Sequence, residues 1–256
     1  MTVMRTLILF LIAQFVAISA YAGEITVAAA ADLKWAMEDV SKAYIKDHPD
    51  DKINVIYGSS GKFFAQLQNG APFDMYFSAD IAYPRELAAK GLAASEVKLY
   101  AIGRIVLWSP SRDASKMTLA SLAEPKIQHI SIANPKHAPY GKRAEEALKA
   151  AGVWAQVEPR LVYGENIAQA AQFVQTGNAE VGVIALSLAL SPQLAASGGY
   201  YLIPDKLHEP LEQGFIITQR AAANPLAKRF ADFMNSQAAR AIMIKYGFVL
   251  PAASGR

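Results

Sequence analysis

The stretch EITVAAAADLKWAMEDVSKAY, residues 24–44, sets two patterns end to end. Its first half is a continuous apolar run, which reads as a strand buried on both faces. Leu33, Met37, Val40 and Tyr44 then recur at helical spacing. A strand passing directly into a helix is the repeating unit of an α/β sheet. At the junction stands Asp32, a carboxyl group placed where the free N–H groups of a helix start lie. Three roles suit it: helix cap, catalytic group or metal ligand.

Outward from this stretch the alternation continues. KINVIYG (52–58) reads as a strand and KFFAQLQNG (62–70) as a helix closed by Gly70. FDMYFSAD (73–80) is a strand, and YPRELAAKGL (83–92) a short helix. The second half repeats the scheme. IQHISIAN (127–134) and RLVYG (160–164) read as strands, YGKRAEEALKAAG (140–152) and NIAQAAQFVQTGN (166–178) as helices. EVGVIALSLAL (180–190) is a strand running into a helix, PLEQGFIIT (210–218) a strand, and residues 224–248 one long helix begun by Asn224 and Pro225. Two such series without a linker predict two lobes joined by short crossings. The extended run LYAIGRIVLWSP (99–110) is one candidate crossing and EPLEQGFIIT (209–218) the return, which assigns the C-terminal helix to the first lobe.

The ends and the composition narrow the class. Arg5, the apolar run 6–19 and the small-residue site AYA (20–22) read as a secretory signal peptide, too short for a comfortable membrane span. The predicted organisation is a leader over 1–22, lobe I over 23–102, lobe II over 103–211 and the return to lobe I over 212–256. The chain of 256 residues has no cysteine, which excludes disulfides and thiolate chemistry. A formal charge of +3 without basic runs argues against nucleic acid. None of the four histidines has metal-ligand spacing. GSSGKF (58–63) lacks the glycine spacing of a phosphate loop, and no G-x-S-x-G is present.

What remains is a set of strand-to-helix junctions: Ala31-Asp32, Gly58-Ser59-Ser60-Gly61, Ala138-Pro139-Tyr140-Gly141 and Glu165-Asn166-Ile167. Ligands of open α/β sheets bind beyond the carboxyl ends of the strands, where helix N-termini present free N–H groups. Several such ends converging would make an anion site without a cationic side chain. Ordinary capping explains any one junction equally well.

Together AAADL (29–33), YGSSGKFFAQL (57–67), GAPFDMYFSAD (70–80), YAIGRIVLWSP (100–110), ANPKHAPYG (133–141), GENIAQAAQFVQTGNAEVGVIAL (164–186) and KYGFVLP (245–251) resemble the periplasmic molybdate-binding (ModA) proteins of ABC importers. The resemblance covers essentially the whole chain after the leader. It implies a two-lobed type II periplasmic-binding-protein fold, each lobe a mixed, mostly parallel sheet flanked by helices, with the ligand in the cleft. It further implies a protein that captures molybdate or tungstate, without catalysis or cofactor, and delivers it to a membrane permease in the periplasm. A monomer is expected. Carried over, the oxyanion-binding positions are Ala31, Asp32, Ser59, Ser60, Tyr140 and Ile167, acting through N–H and hydroxyl groups, with no side chain on the metal itself. Many family members carry a hydroxyl residue where this chain has Asp32, and some a tyrosine where it has Ala185. The phenol of Tyr140 is a candidate substitute. The Asp32 carboxylate is expected to turn back and cap its own helix at Lys34 or Trp35. Another oxyanion (phosphate, sulfate) or a small organic anion is the alternative ligand. An exported enzyme using Asp32 or Glu165 ranks below both.

Overall fold

A computed structural model of the protein describes residues 23–251, so the leader expected at 1–22 lies outside the described residues. β1 (Glu24–Ala30) leads through a 3-10 turn (Ala31–Leu33) into α1 (Lys34–Asp47). Then follow β2 (Lys52–Gly58), α2 (Ser60–Gln68), β3 (Met75–Ser78), α3 (Ala82–Ala89) and β4 (Lys98–Gly103). After Arg104 come β5 (Ile105–Ser109), β6 (Ile130–Ala133), α4 (Pro139–Ala150), α5 (Trp154–Val157), β7 (Leu161–Gly164), α6 (Ile167–Gln175), β8 (Val181–Ala185), α7 (Leu186–Ala189), α8 (Pro192–Ala195) and β9 (Gly199–Leu202). β10 (Leu211–Ile217), α9 (Pro225–Phe233) and α10 (Gln237–Lys245) complete the described chain.

The strands form two five-stranded sheets, ordered β2-β1-β3-β10-β4 and β7-β6-β8-β5-β9. Each sheet contains one reversed strand in the same place. β10 runs antiparallel to β3 and β4, and β5 antiparallel to β8 and β9. The other pairings are parallel. The reversed strand is in each case the one that has just crossed from the other sheet. The run 99–110 is therefore two strands in two sheets, separated by Arg104 alone.

β1 is covered on both faces, which explains its unbroken apolar sequence. Ile25, Val27 and Ala29 face a cluster with Leu33, Met37, Val40 and Tyr44 of the following turn and helix, all at most 1% exposed. Burying each of the larger side chains contributes about 1.5–3 kcal/mol. Ala28 faces the opposite cluster with Phe63, Tyr76 and Ile216. Ala30 and Ala31 belong to neither. They pack into the cluster of the second sheet, with Ile105 and Tyr140. Small residues at the end of this strand let the second lobe approach the first.

The C-terminal segment differs from the single long helix predicted. It is broken at Met234–Ser236, where the Ser236 hydroxyl accepts from Ala239 N–H and starts α10. Local capping overrides a continuous apolar periodicity. Both helices pack against β1 and α1. β9, α5 and α8 were not foreseen; each is only four residues long and too brief to show a period. Among the described residues no helix is long and apolar enough to cross a membrane.

Candidate functional site

Ala31, Asp32, Ser59, Ser60, Tyr140 and Ile167 all line one small cavity between the sheets, about 190 Å³ including its mouth. It lies where β1, β2, β6 and β7 end and the next turn or helix starts. Gly58, Ala79, Ala138 and Pro139 form much of the remaining wall, and no lining side chain is cationic.

Each helix start leaves a specific N–H unengaged. Ser60 is the first residue of α2, Tyr140 the second of α4 behind Pro139, and Ile167 the first of α6. Such positions have no intrahelical acceptor, and none of the three N–H groups finds another among the described residues. In α6 the division is explicit. The Asn166 side chain accepts from Ala168 and Gln169 at 3.0 Å each, leaving Ile167 N–H to the cavity. Gly141 lets α4 start hard against β6, since a Cβ there would lie 2.1 Å from the Ala133 carbonyl oxygen. The Ser60 hydroxyl accepts from Ala79 N–H at 3.0 Å and keeps its own proton free to donate.

Ser59 is committed elsewhere. Its hydroxyl donates to the carbonyl of His137 across the cleft at 2.5 Å, and the His137 Nδ1 lies 3.0 Å from the same oxygen. With the hydroxyl proton used, Nδ1 is the donor of that second contact. Gly61 N–H donates to the same carbonyl at 2.9 Å. Lys62 and Glu165 form an ion pair at the rim. Burial holds His137 below its ordinary pKa, so it is neutral at neutral pH.

Asp32 does not cap its helix. Neither the 3-10 turn nor α1 has a side-chain cap. Its carboxylate Oδ2 instead accepts from the Tyr140 phenol at 3.0 Å and from Gln213 Nε2 at 2.8 Å. The phenol of Tyr140 is thereby spent on Asp32 rather than offered to the cavity. Burial pushes the Asp32 carboxyl up to about 6, against the hydrogen bonds from Gln213 and Tyr140, which favour its charged form. The N–H groups of Asp32 and Leu33 also favour that form, yet neither reaches Oδ1 with hydrogen-bond geometry, and Oδ1 is buried without a partner. The turn puts Asp32 between Tyr140 of the second lobe and Gln213 of the returning strand, which satisfy it better than its own backbone does.

Three participants escaped sequence reading: Gln213, Ser187, whose hydroxyl donates to the Asp32 carbonyl at 2.7 Å, and His137. Each acts across the cleft or from the returning strand, and a lone Gln or Ser in an apolar run carries no signal of that. A roomier groove of about 1010 Å³ including its mouth adjoins the cavity between Trp35 and α6. Its walls mix the Lys34 side chain, the amides of Gln169, Gln172 and Gln175 and the apolar Trp35 and Leu188, and helix starts from the two lobes do not converge on it. Among the described residues no group of three or more acidic or histidine side chains is placed to hold a metal ion.

Comparison with known proteins gives a consistent picture. The sequence profile of the bacterial extracellular solute-binding proteins matches residues 25–249. The molybdate-binding protein ModA of Azotobacter vinelandii is 36% identical over 245 residues, covering 95% of this chain and 97% of that protein. ModA of Rhodobacter capsulatus is 34% identical over 236 residues, 91% of each chain. The structure of the Azotobacter vinelandii periplasmic molybdate-binding protein superposes with a TM-score of 0.83 at 31% identity, covering 89% of this chain and 99% of that one.

Proposed function

The chain belongs to the bacterial extracellular solute-binding protein family, and we propose that this member captures molybdate or tungstate in the cleft and hands it to an ABC-type permease in the periplasm. One observation carries the reading. Helix starts from both lobes converge on a cavity that offers neutral donors and no side-chain cation. Molybdate at neutral pH is a dianion with acceptors only, so N–H groups and hydroxyls match it and metal ligation by side chains has no part. The binding set is the free N–H groups of Ser60, Tyr140 and Ile167, the Ser60 hydroxyl, and the turn at Ala31 and Asp32. Ser59 contributes through the interlobe bond that closes the cavity.

Each hydrogen bond to a charged group contributes roughly 1.5–3 kcal/mol, and about six leave nanomolar-class affinity, on the order of 12 kcal/mol, after closure costs. The lobes, meeting at Arg104 and at 203–210, close as rigid bodies, and a permease distinguishes the closed form from the empty one. No step of this cycle requires catalysis or a cofactor, and the protein acts as a monomer.

Titration calorimetry and thermal melting with sodium molybdate and sodium tungstate test this. Both anions should give saturable heat and raise the melting temperature, while ATP does neither; absence of heat with both anions ends the proposal. Asp32 favours a second reading, an oxyanion that carries its own proton, such as hydrogen phosphate. In a competition titration that reading requires phosphate to displace molybdate at comparable concentration.

A further inference from the structure

The cavity wall contains one ionisable carboxyl group and nothing that neutralises it. Asp32 is 1% exposed, and the groups facing it are all uncharged at neutral pH. From α4 comes the Tyr140 phenol, from β10 the Gln213 amide, from β4 the Tyr100 phenol, and from α7 the Ser187 hydroxyl on the Asp32 carbonyl. Burial holds both phenols above their ordinary pKa, so they remain neutral. Lys34 on the next turn is exposed and lies over the Trp35 ring. At the rim Lys62 and Glu165 neutralise each other, and His137 is uncharged.

Gln213 holds this arrangement in one orientation. It is fully buried beside a bulge in β10. Its Oε1 accepts from the Tyr100 phenol at 2.7 Å, which turns Nε2 toward Asp32 Oδ2 and the Tyr140 oxygen, at 2.8 and 3.0 Å. All the directed donors thus meet Oδ2, while Oδ1 is buried without a partner. A proton-free dianion placed in the same cavity confronts a bare carboxylate, and a like charge within ~4–6 Å disfavours the charged form.

We propose that the site loads a proton together with the anion: in the occupied cleft Asp32 is a carboxylic acid, with its O–H on Oδ1 turned to an oxygen of the ligand, so each dianion captured brings in one proton from solvent. This rests on the reading that the cavity takes a proton-free oxyanion. The only bond formed is O–H at Asp32. The proton converts the one repelling acceptor in the wall into a further donor. In the empty protein the carboxyl already titrates at about 6, so the charge of the ligand needs to move it only modestly to protonate it at neutral pH.

The test is calorimetry of sodium molybdate binding to the full chain at pH 7.5 in HEPES and in Tris, whose ionisation heats differ. The expected result is net proton uptake at pH 7.5, at most one per anion, with the dissociation constant weakening by up to about tenfold per pH unit above pH 7 until the pH passes the raised pKa of the occupied site. Asp32→Asn should bind with no proton uptake and a flat pH profile, its fold checked by melting. Heat without proton uptake in the wild-type protein overturns the proposal and leaves the binding function standing. So does uptake that persists in Asp32→Asn and vanishes in His137→Gln. No heat at any pH from 6 to 9 overturns the binding function and this proposal with it. The wild-type pH series needs no variant.

Discussion

Asp32 is a carboxyl group that the fold buries without a counter-ion, and its consequence for stability has a definite sign. Its pKa in the folded protein is raised from 3.8 to about 6, so its favourable contribution is complete below about pH 4 and is lost as pH rises through 6. At pH 7 the ionised group costs about 3 kcal/mol by the usual conversion. Asp32→Asn keeps an oxygen to accept from Tyr140 and Gln213 and removes the charge. Urea unfolding of the unliganded variant should show a gain of about 1–3 kcal/mol at pH 7 that shrinks toward zero at pH 4. A loss of stability at pH 7 would mean that the carboxylate has a stabilising partner. That the residue at 32 matters was legible from its position after an apolar run. Its orientation was not, because Tyr140 lies 108 positions and Gln213 181 positions away.

At the scale of elements, the site depends on where helices start and how much of each start is already capped. α6 shows the division of labour, with Asn166 absorbing two N–H groups and leaving one. Asn166→Ala removes this cap at a cost of about 1 kcal/mol, and the melting temperature of the unliganded protein should fall by about 2–4 °C for a chain of this size. An unchanged melting curve would show that solvent satisfies those groups equally well. Most elements were legible because strand and helix periods differ and because Gly70, Gly91 and Gly152, all at positive φ, terminate helices as their sequence positions suggest. The break before α10 was less so: Ser236 is a good cap, but one cap within a 25-residue apolar period is a weak signal beside the period itself.

For the whole molecule the decisive feature is closure. Gly61 meets His137 across the cleft so tightly that a Cβ would lie 2.6 Å from its carbonyl oxygen. Gly61→Ala should therefore hold the lobes apart, weakening molybdate binding at least about tenfold while leaving the unliganded melting temperature nearly unchanged. Small-angle scattering provides the check: molybdate should shrink the radius of gyration of the wild-type protein and fail to shrink that of the variant. Equal contraction in both would show that the Gly61 contact is dispensable. The exposed Lys62–Glu165 pair beside it is a minor term, since surface ion pairs contribute about 0–1 kcal/mol.

By itself the sequence determined the alternation of strands and helices, the two-lobed class and the strand-to-helix junctions proposed as the ligand site. Those properties are local, written in periodicity and in the residues that start and stop helices. Only the tertiary structure decided that the junctions share one cavity, that Ser59 is spent on His137, and that the Asp32 carboxyl group faces Tyr140 and Gln213 instead of its own helix. Those outcomes depend on two chain crossings that bring distant segments within hydrogen-bond reach. A buried polar group takes the best-placed donor in space, whatever its distance along the chain.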